Sequence, residues 1–507
     1  MDNKIVKCSV QMYTMGTGDC LLLLFKNEAD EVKHKMLIDC GVIQISKKDI
    51  TPYIEKLKDQ VNSEIDTLLI THEHQDHVLG FQRAEDIFKN IAVKNLWLAW
   101  TEDPNDEYAK KLKEEYSLQK MALAKSYNEL KKHTFKDNSK IKDADTNLRM
   151  KKFESSLLDF VSINCDIHEK DEDIFGVYKG DLVGFKIIKE LYGDLEPECL
   201  LPGQIKENIE GLENIRIHVL GPPKNLDLIK KEHGDLGETY EHNNALEEVK
   251  GFSNLTHLLS DEMDTPFDVE YIQSRKGATM RRDSYNKKGN EYRKIDFDWL
   301  NSTANLALRL KKGINNLSVV LAIEFIESGK IMLFPGDAEY GSWKSWQDIE
   351  WNAKDADNEK LTTENILNRT VFYKIAHHMS HNGTAKEVGT DMMIHQDLVA
   401  MGTVAYNKIG SSWKKTMPNK ELVKDLLNKT KGRLIMMDSA EMYADKEKTI
   451  PLATAIKKKQ ECMSSSELKN FLNKNKVLVK NGNLLDVDDQ TIKKKNIIAK
   501  EYTVDGK

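Results

Sequence analysis

The 507-residue chain has little of what marks secreted, membrane or repetitive proteins. Its six cysteines (Cys8, Cys20, Cys40, Cys165, Cys199 and Cys462) form no CxxC pair and no even framework. That excludes a disulfide scaffold, argues against a zinc-thiolate site and leaves reduced thiols. No apolar run approaches the roughly 20 residues that span a bilayer, and the opening Met1-Asp2-Asn3-Lys4 lacks a signal peptide's apolar core. A cytoplasmic location without a membrane partner is therefore expected. An excess of one charge is also missing: 75 Lys+Arg against 82 Asp+Glu gives 75 − 82 = −7, too little at this length to identify or exclude a polyanionic partner. No repeat recurs at a fixed period, which argues against a solenoid. What is present, 40% hydrophobic and 31% charged residues, describes a soluble globular protein long enough for a large core plus insertions.

Short apolar runs bounded by turn residues predict strands at 5–12, 20–25, 36–39, 65–70 and 92–99. Long Lys/Glu-rich helical periodicity follows and predicts a helical insertion over 104–172. Strands are expected again at 185–188 and 215–220, within a core continuation over 173–223. A polar, partly basic insertion is expected over 224–300. Strands at 306–310, 318–325, 331–334, 371–376 and 398–406, with a helix beginning at 421–428, make 301–440 the second half of the core; 1–103 is the first half. Beyond it, 441–507 is Lys-rich and weakly patterned apart from a helix at 464–473, and reads as an appended cap or tail.

The most informative stretch is Thr71-His72-Glu73-His74-Gln75-Asp76-His77, between the apolar IDTLLI and the amphipathic VLGFQRAEDIFKN. Three imidazoles and a carboxylate at a strand-to-helix turn suit divalent ions: His72 and His74 share a side by the two-residue period, while Asp76 and His77 turn with the chain toward a second ion. Asp337 follows IMLF and a Pro-Gly turn, where a carboxylate can sit between two cations roughly 3.5–4 Å apart. His377 and His378 end the run VFYKIA, and because adjacent strand residues face opposite ways only one of them should be a ligand.

HisGluHisGlnAspHis resembles the HxHxDH signature of the metallo-β-lactamase superfamily. MLIDCG (36–41), FPGDAE (334–339) and KIAHHMSHNG (374–383) resemble its other motifs in the same order. GTGDCLLLLF (16–25), VLGPP (219–223) and NNLSVVLAIEF (315–325) resemble the branch containing the DNA-degrading domain of bacterial competence channels and related phosphodiesterases. The resemblance implies an α/β fold, an αβ/βα four-layer sandwich split by the two insertions. It also implies two divalent ions, Zn²⁺ or Mn²⁺, with His72 and His74 on the first, Asp76, His77 and His377 on the second, and Asp337 bridging. Asp39, and with it Asp19, would brace the metal loop from behind, and His378 would take a supporting or substrate-facing role. His381 is either a contact to the scissile phosphate or an exposed loop histidine. Many superfamily members add a histidine to the first ion where this chain has Gly221; His218 nearby reads as an outward-facing strand residue, leaving His168, His242 or substrate to complete the site.

The implied reaction is hydrolysis by hydroxide made from water between two ions and oriented by Asp76, with the branch favouring a phosphodiester substrate. In 273–294, Arg275, Lys276, Arg281, Arg282, Lys287, Lys288, Arg293 and Lys294 outnumber Asp283 and Glu291, and Tyr285 and Tyr292 are interleaved with them. Such a segment suits single-stranded nucleic acid, with Arg281, Arg282, Lys287 and Lys288 as the candidate contacts, although a solvated loop has the same composition. Two other readings are a small-molecule metallohydrolase acting on a lactone, thioester or nucleotide, and a partner-activated or non-catalytic module with a protein partner along 104–172.

Overall fold

A computed structural model describes residues 3–43, 45–114, 184–234, 238–240, 313–354, 359–410, 413–439, 441–445, 447–489 and 496–507. Nearly all of these belong to one compact unit made of Met1–Lys110, Val183–His242 and Gly313–Lys507. The predicted helical insertion beyond Glu114, the basic segment with Arg281, Arg282, Lys287 and Lys288, the expected strand at 306–310, His168 and His242 lie outside the described residues.

The unit is mixed α/β, built on two mixed sheets. Its strands in chain order are β1 (Lys7–Tyr13), β2 (Leu21–Lys26), β3 (Val32–Ile38), β4 (Glu64–Leu69), β5 (Ala92–Ala99), β6 (Glu198–Leu200), β7 (Ile205–Lys206) and β8 (Ile215–Gly221). They continue as β9 (Val320–Phe325), β10 (Ile331–Phe334), β11 (Thr370–Lys374), β12 (Val399–Ala405), β13 (Leu434–Asp438), β14 (Asn475–Val479), β15 (Leu484–Asp486) and β16 (Ile497–Asp505). The first sheet runs β15-β14-β16-β1-β2-β3-β4-β5-β6 and the second β13-β12-β11-β10-β9-β8-β7. Each changes from antiparallel to parallel pairing part-way: β3, β4 and β5 run parallel in the first sheet, and β10, β11, β12 and β13 in the second.

LLLLFK in β2 shows why the strands read as unbroken apolar runs. Leu21, Leu23 and Phe25 enter a core shared with Leu321, Ile323, Met332 and Phe372 of the second sheet, while Leu22 and Leu24 pack with helical residues on the opposite face. A strand covered on both faces has no polar side to alternate with. The helix Lys47–Val61 contributes Ile50, Ile54, Leu57 and Val61 to that outer layer, an i, i+4 stripe. Lys420–Lys429 does the same over the second sheet with Leu422, Val423, Leu426 and Leu427. Truncating one of these leucines or isoleucines to alanine is expected to cost about 2–5 kcal/mol.

Two expectations change. Residues 185–188 lie in the helix Gly184–Tyr192, with Ile187, Ile188 and Tyr192 buried; a four-residue apolar run cannot distinguish strand from helix, and only the longer spacing could. The segment 441–507 is not an appendage. β16 pairs antiparallel with β1, from Lys7 opposite Asp505 to Tyr13 opposite Ala499, and β14 extends the sheet beyond it. In β16, Lys500 and Glu501 interrupt the run of buried Ile498, Ala499, Tyr502 and Val504, so charge hid the pattern. No helix among the described residues is long and apolar enough to cross a membrane.

Candidate metal centre

The C-terminal ends of parallel strands from both sheets meet in one place, where α/β proteins collect functional side chains. After β4 the chain passes through Thr71, His72 and His74 into the helix Gln75–Arg83, whose first turn carries Asp76 and His77. His74 occupies the N-cap without capping the helix; its Nδ1 lies 2.9 Å from His72 Nε2 instead. The backbone of Gly41 lies against this turn so closely that a Cβ would stand 2.1 Å from His77 N, so only glycine allows the approach.

Asp39, at φ 56° just after β3, fixes the turn from behind. It accepts hydrogen bonds from Thr71 N (2.7 Å) and Thr71 Oγ1 (2.6 Å), and its Oδ2 lies 2.7 Å from His77 Nδ1. A carboxylate at Nδ1 settles the tautomer and leaves Nε2 to face the cluster. Asp19 joins through the backbone, its N–H donating to Asp76 O at 2.8 Å.

Asp337 follows β10 through Gly336, which has φ +56° and lies so near Thr71 and Ser318 that a Cβ would stand 3.2 and 3.1 Å from theirs. Oδ2 of Asp337 lies 3.1 Å from His77 Nε2 and 3.4 Å from His378 Nε2, which is itself 3.3 Å from Asp76 Oδ2. Two ligand sets therefore share Asp337: His72, His74 and Asp337, and Asp76, His77, Asp337 and His378, each with donor atoms within 4.8 Å of one another.

Of the two histidines, the structure brings His378 into the cluster and leaves His377, the one favoured from the sequence, outside it. β11 stops at Lys374, and His377 and His378 have φ 45° and 47°, a left-handed turn to which strand alternation does not apply. The turn sends His378 inward, where Thr403 Oγ1 holds its Nδ1 at 2.9 Å. His377 faces the rim, 20% exposed, near Ser380 Oγ, Glu339 and Asn315. His381 also lies outside both sets, its ring stacked on His233 at 6.4 Å. His218 is not outward-facing: it is fully buried and 2.7 Å from Glu324 Oε2, in an ion-pair group with Arg369. Nor is there room for a histidine at Gly221, where a Cβ would already meet Val320 at 2.9 Å.

The composition of the cluster fits divalent cations. Nε2 of His77 and Nε2 of His378 are buried without a hydrogen bond, as expected of ring nitrogens left for an ion between them. Burial would raise Asp76 and Asp337, yet His378 and His77 hold both carboxyls well below the usual range. Burial, with His77 and His74 beside it, holds His72 well below the ordinary imidazole range, the neutral form a metal requires. Burial opposes charge on His378 too, but Asp337 and Asp76 outweigh it and raise its pKa to about 9.

That last shift has a testable sign. The folded-state pKa lies above the ordinary imidazole value of 6.5, so in metal-free protein protonated His378 stabilises the fold fully below pH ~6.5 and loses that contribution as pH rises through about 9. Urea midpoints in chelator are expected to fall between pH 6.5 and 9.5, and ion affinity to rise with pH over the same window as a proton is displaced. A midpoint that stays flat or climbs across that window counts against a charged His378.

The sequence reading did not single out Thr71, Ser318, Thr403, Asn315, Glu339 or Lys374. Ser318 Oγ accepts from Asp337 N at 3.1 Å and lies 3.2 Å from His72 Nδ1, while Glu339 Oε1 accepts from Asn315 and Asn382 Nδ2 at 2.8 Å each. The one available signal was polar residues inside or beside apolar strands, as in NNLSVV and TVFYK. Among known proteins, no family, no curated protein and no solved structure matches this chain significantly.

Proposed function

We propose that the chain is a metal-dependent hydrolase with the metallo-β-lactamase-type αβ/βα sandwich, acting on phosphodiesters as a nuclease or phosphodiesterase with two Zn²⁺ or Mn²⁺ ions. The observation that carries the reading is the pair of buried ligand sets sharing Asp337. When bound, the ions supply Lewis acidity, bringing the pKa of water toward about 7 and offsetting charge on the substrate's oxygens.

The chain's own residues do the rest. Asp39 and Thr403 lock the rings of His77 and His378, so the ligand atoms are in place before any ion arrives. Asp76, in the first turn of its helix and the least buried of the set, both ligates and orients the attacking water. At the rim, burial holds His377 down to about 4, a neutral ring whose N–H can donate to a phosphate oxygen, with His381 and His233 beyond it. An imidazole-lined mouth supports an anionic substrate.

The test is purified full-length chain with single- and double-stranded DNA and RNA, with Mn²⁺, with Zn²⁺ and with chelator. Ion-dependent cleavage is expected, and Asp76→Asn should abolish it. Hydrolysis of a lactone or thioester without any polynucleotide cleavage would replace the substrate assignment. Full ion occupancy with no hydrolysis of any of these would favour a partner-activated module. If the segment around Arg281, Arg282, Lys287 and Lys288 holds a single strand, neutralising all four should lower the log K against log salt slope by roughly 0.7 per lost phosphate contact. Hydrolysis of a small chromogenic phosphodiester should then be unaffected; an unchanged slope removes the segment from the substrate path.

A further inference from the structure

Lys374 ends β11, and its side chain is 1% exposed. A lysine is almost never buried to that degree unless paired, and the rest of the strand, TVFYK, is buried without any other charged side chain. Its Nζ pairs with Asp19, donates to Gly336 O at 3.1 Å and lies 3.8 Å from Asp337 Oδ1. Asp337 therefore has two differently occupied oxygens: Oδ1 toward Lys374, and Oδ2 toward His77 and His378 at 3.1 and 3.4 Å. Asp19 has a similar arrangement, its Oδ2 on Lys374 and its Oδ1 3.5 Å from His378 Nδ1.

We propose that Lys374 is the fixed counter-cation of the metal centre, turning Asp337 so that Oδ2 faces the ion sites and setting ion affinity by opposing incoming positive charge. The proposal rests on reading the cluster as a metal centre. Four buried or nearly buried carboxylates, Asp19, Asp39, Asp76 and Asp337, converge here, and the ammonium of Lys374 lies against two of them. Without ions this ammonium partly balances a site that would otherwise be strongly anionic. With ions it becomes a brake on how tightly they are held, and Asp19 in turn shields the ions from it.

Three full-length variants test this: Lys374→Met, Asp19→Asn and the double. The readouts are Zn²⁺ affinity by competition with a chelating indicator, and melting midpoint with and without Zn²⁺. Lys374→Met is expected to tighten Zn²⁺ binding roughly 10-fold or more and to lower the metal-free midpoint by about 5 °C or more. Asp19→Asn is expected to weaken binding by a similar factor, because the lysine's charge is then unshielded. The double variant should return to within about 3-fold of wild type. Opposite signs in the two singles are the signature, since a residue that merely packs would weaken binding in both. Two losses of similar size, or no change in either, overturns the proposal while leaving the metal centre intact. A wild-type chain that takes up no Zn²⁺ or Mn²⁺ overturns the metal-centre reading, and the proposal with it.

Discussion

Asp337→Ala protein, purified beside wild type, is expected to retain almost none of the two ions, whereas His72→Ala retains one. Asp337 is the only residue common to both ligand sets, so its loss removes a donor from each, while His72 serves one set. The substitution also leaves Lys374 facing the ion positions with one carboxylate fewer between. Hydrolysis should fall roughly 10³-fold or more, the scale of losing preorganised charge stabilisation at a reacting centre. Elemental analysis and turnover on one phosphodiester decide it, and equal ion content in the two variants would count against a shared carboxylate.

The second large effect separates neighbours in sequence. His378→Ala is expected to empty the site formed with Asp76 and His77 and to lower hydrolysis about 10²-fold or more, whereas His377→Ala should keep both ions and lose activity through weaker substrate binding. Thr403→Val, which removes the hydroxyl 2.9 Å from His378 Nδ1, should weaken ion affinity by about 10- to 100-fold without emptying the site. If His377→Ala is the variant that loses metal, the turn has been read the wrong way round.

How much of this was readable before folding depended on whether a side chain's direction follows from its own segment. His72, His74, Asp76 and His77 were readable because a strand end and a helix start fix where each points. Asp337 followed from a carboxylate just beyond an apolar run and a Pro-Gly turn, and Asp39 from the likeness of MLIDCG to the superfamily's motif. His378 was not readable, since three successive residues from His377 to Met379 with positive φ send the chain off the strand path, and nothing local in AlaHisHisMet announces that. Lys374 was missed for a different reason: whether a lysine snorkels to water or is buried depends on Asp19, 355 positions earlier (374 − 19), being folded against it. The closing strand β16 failed the same way, as its partner β1 lies at the other end of the chain.

That pairing also dictates an order of events during synthesis. β1 leaves the ribosome 490 positions (497 − 7) ahead of β16, the strand that covers one of its two edges. Until β16 is made, the β1–β2–β3 meander has one edge of β1 without its partner, and the turn bearing His72 to His77 has already been synthesised. A growing chain of this kind invites edge-to-edge association with its neighbours on the same message, and chelation ahead of closure. Recombinant yield should therefore respond to slowed translation and to chaperone supply as well as to the stability of the finished fold.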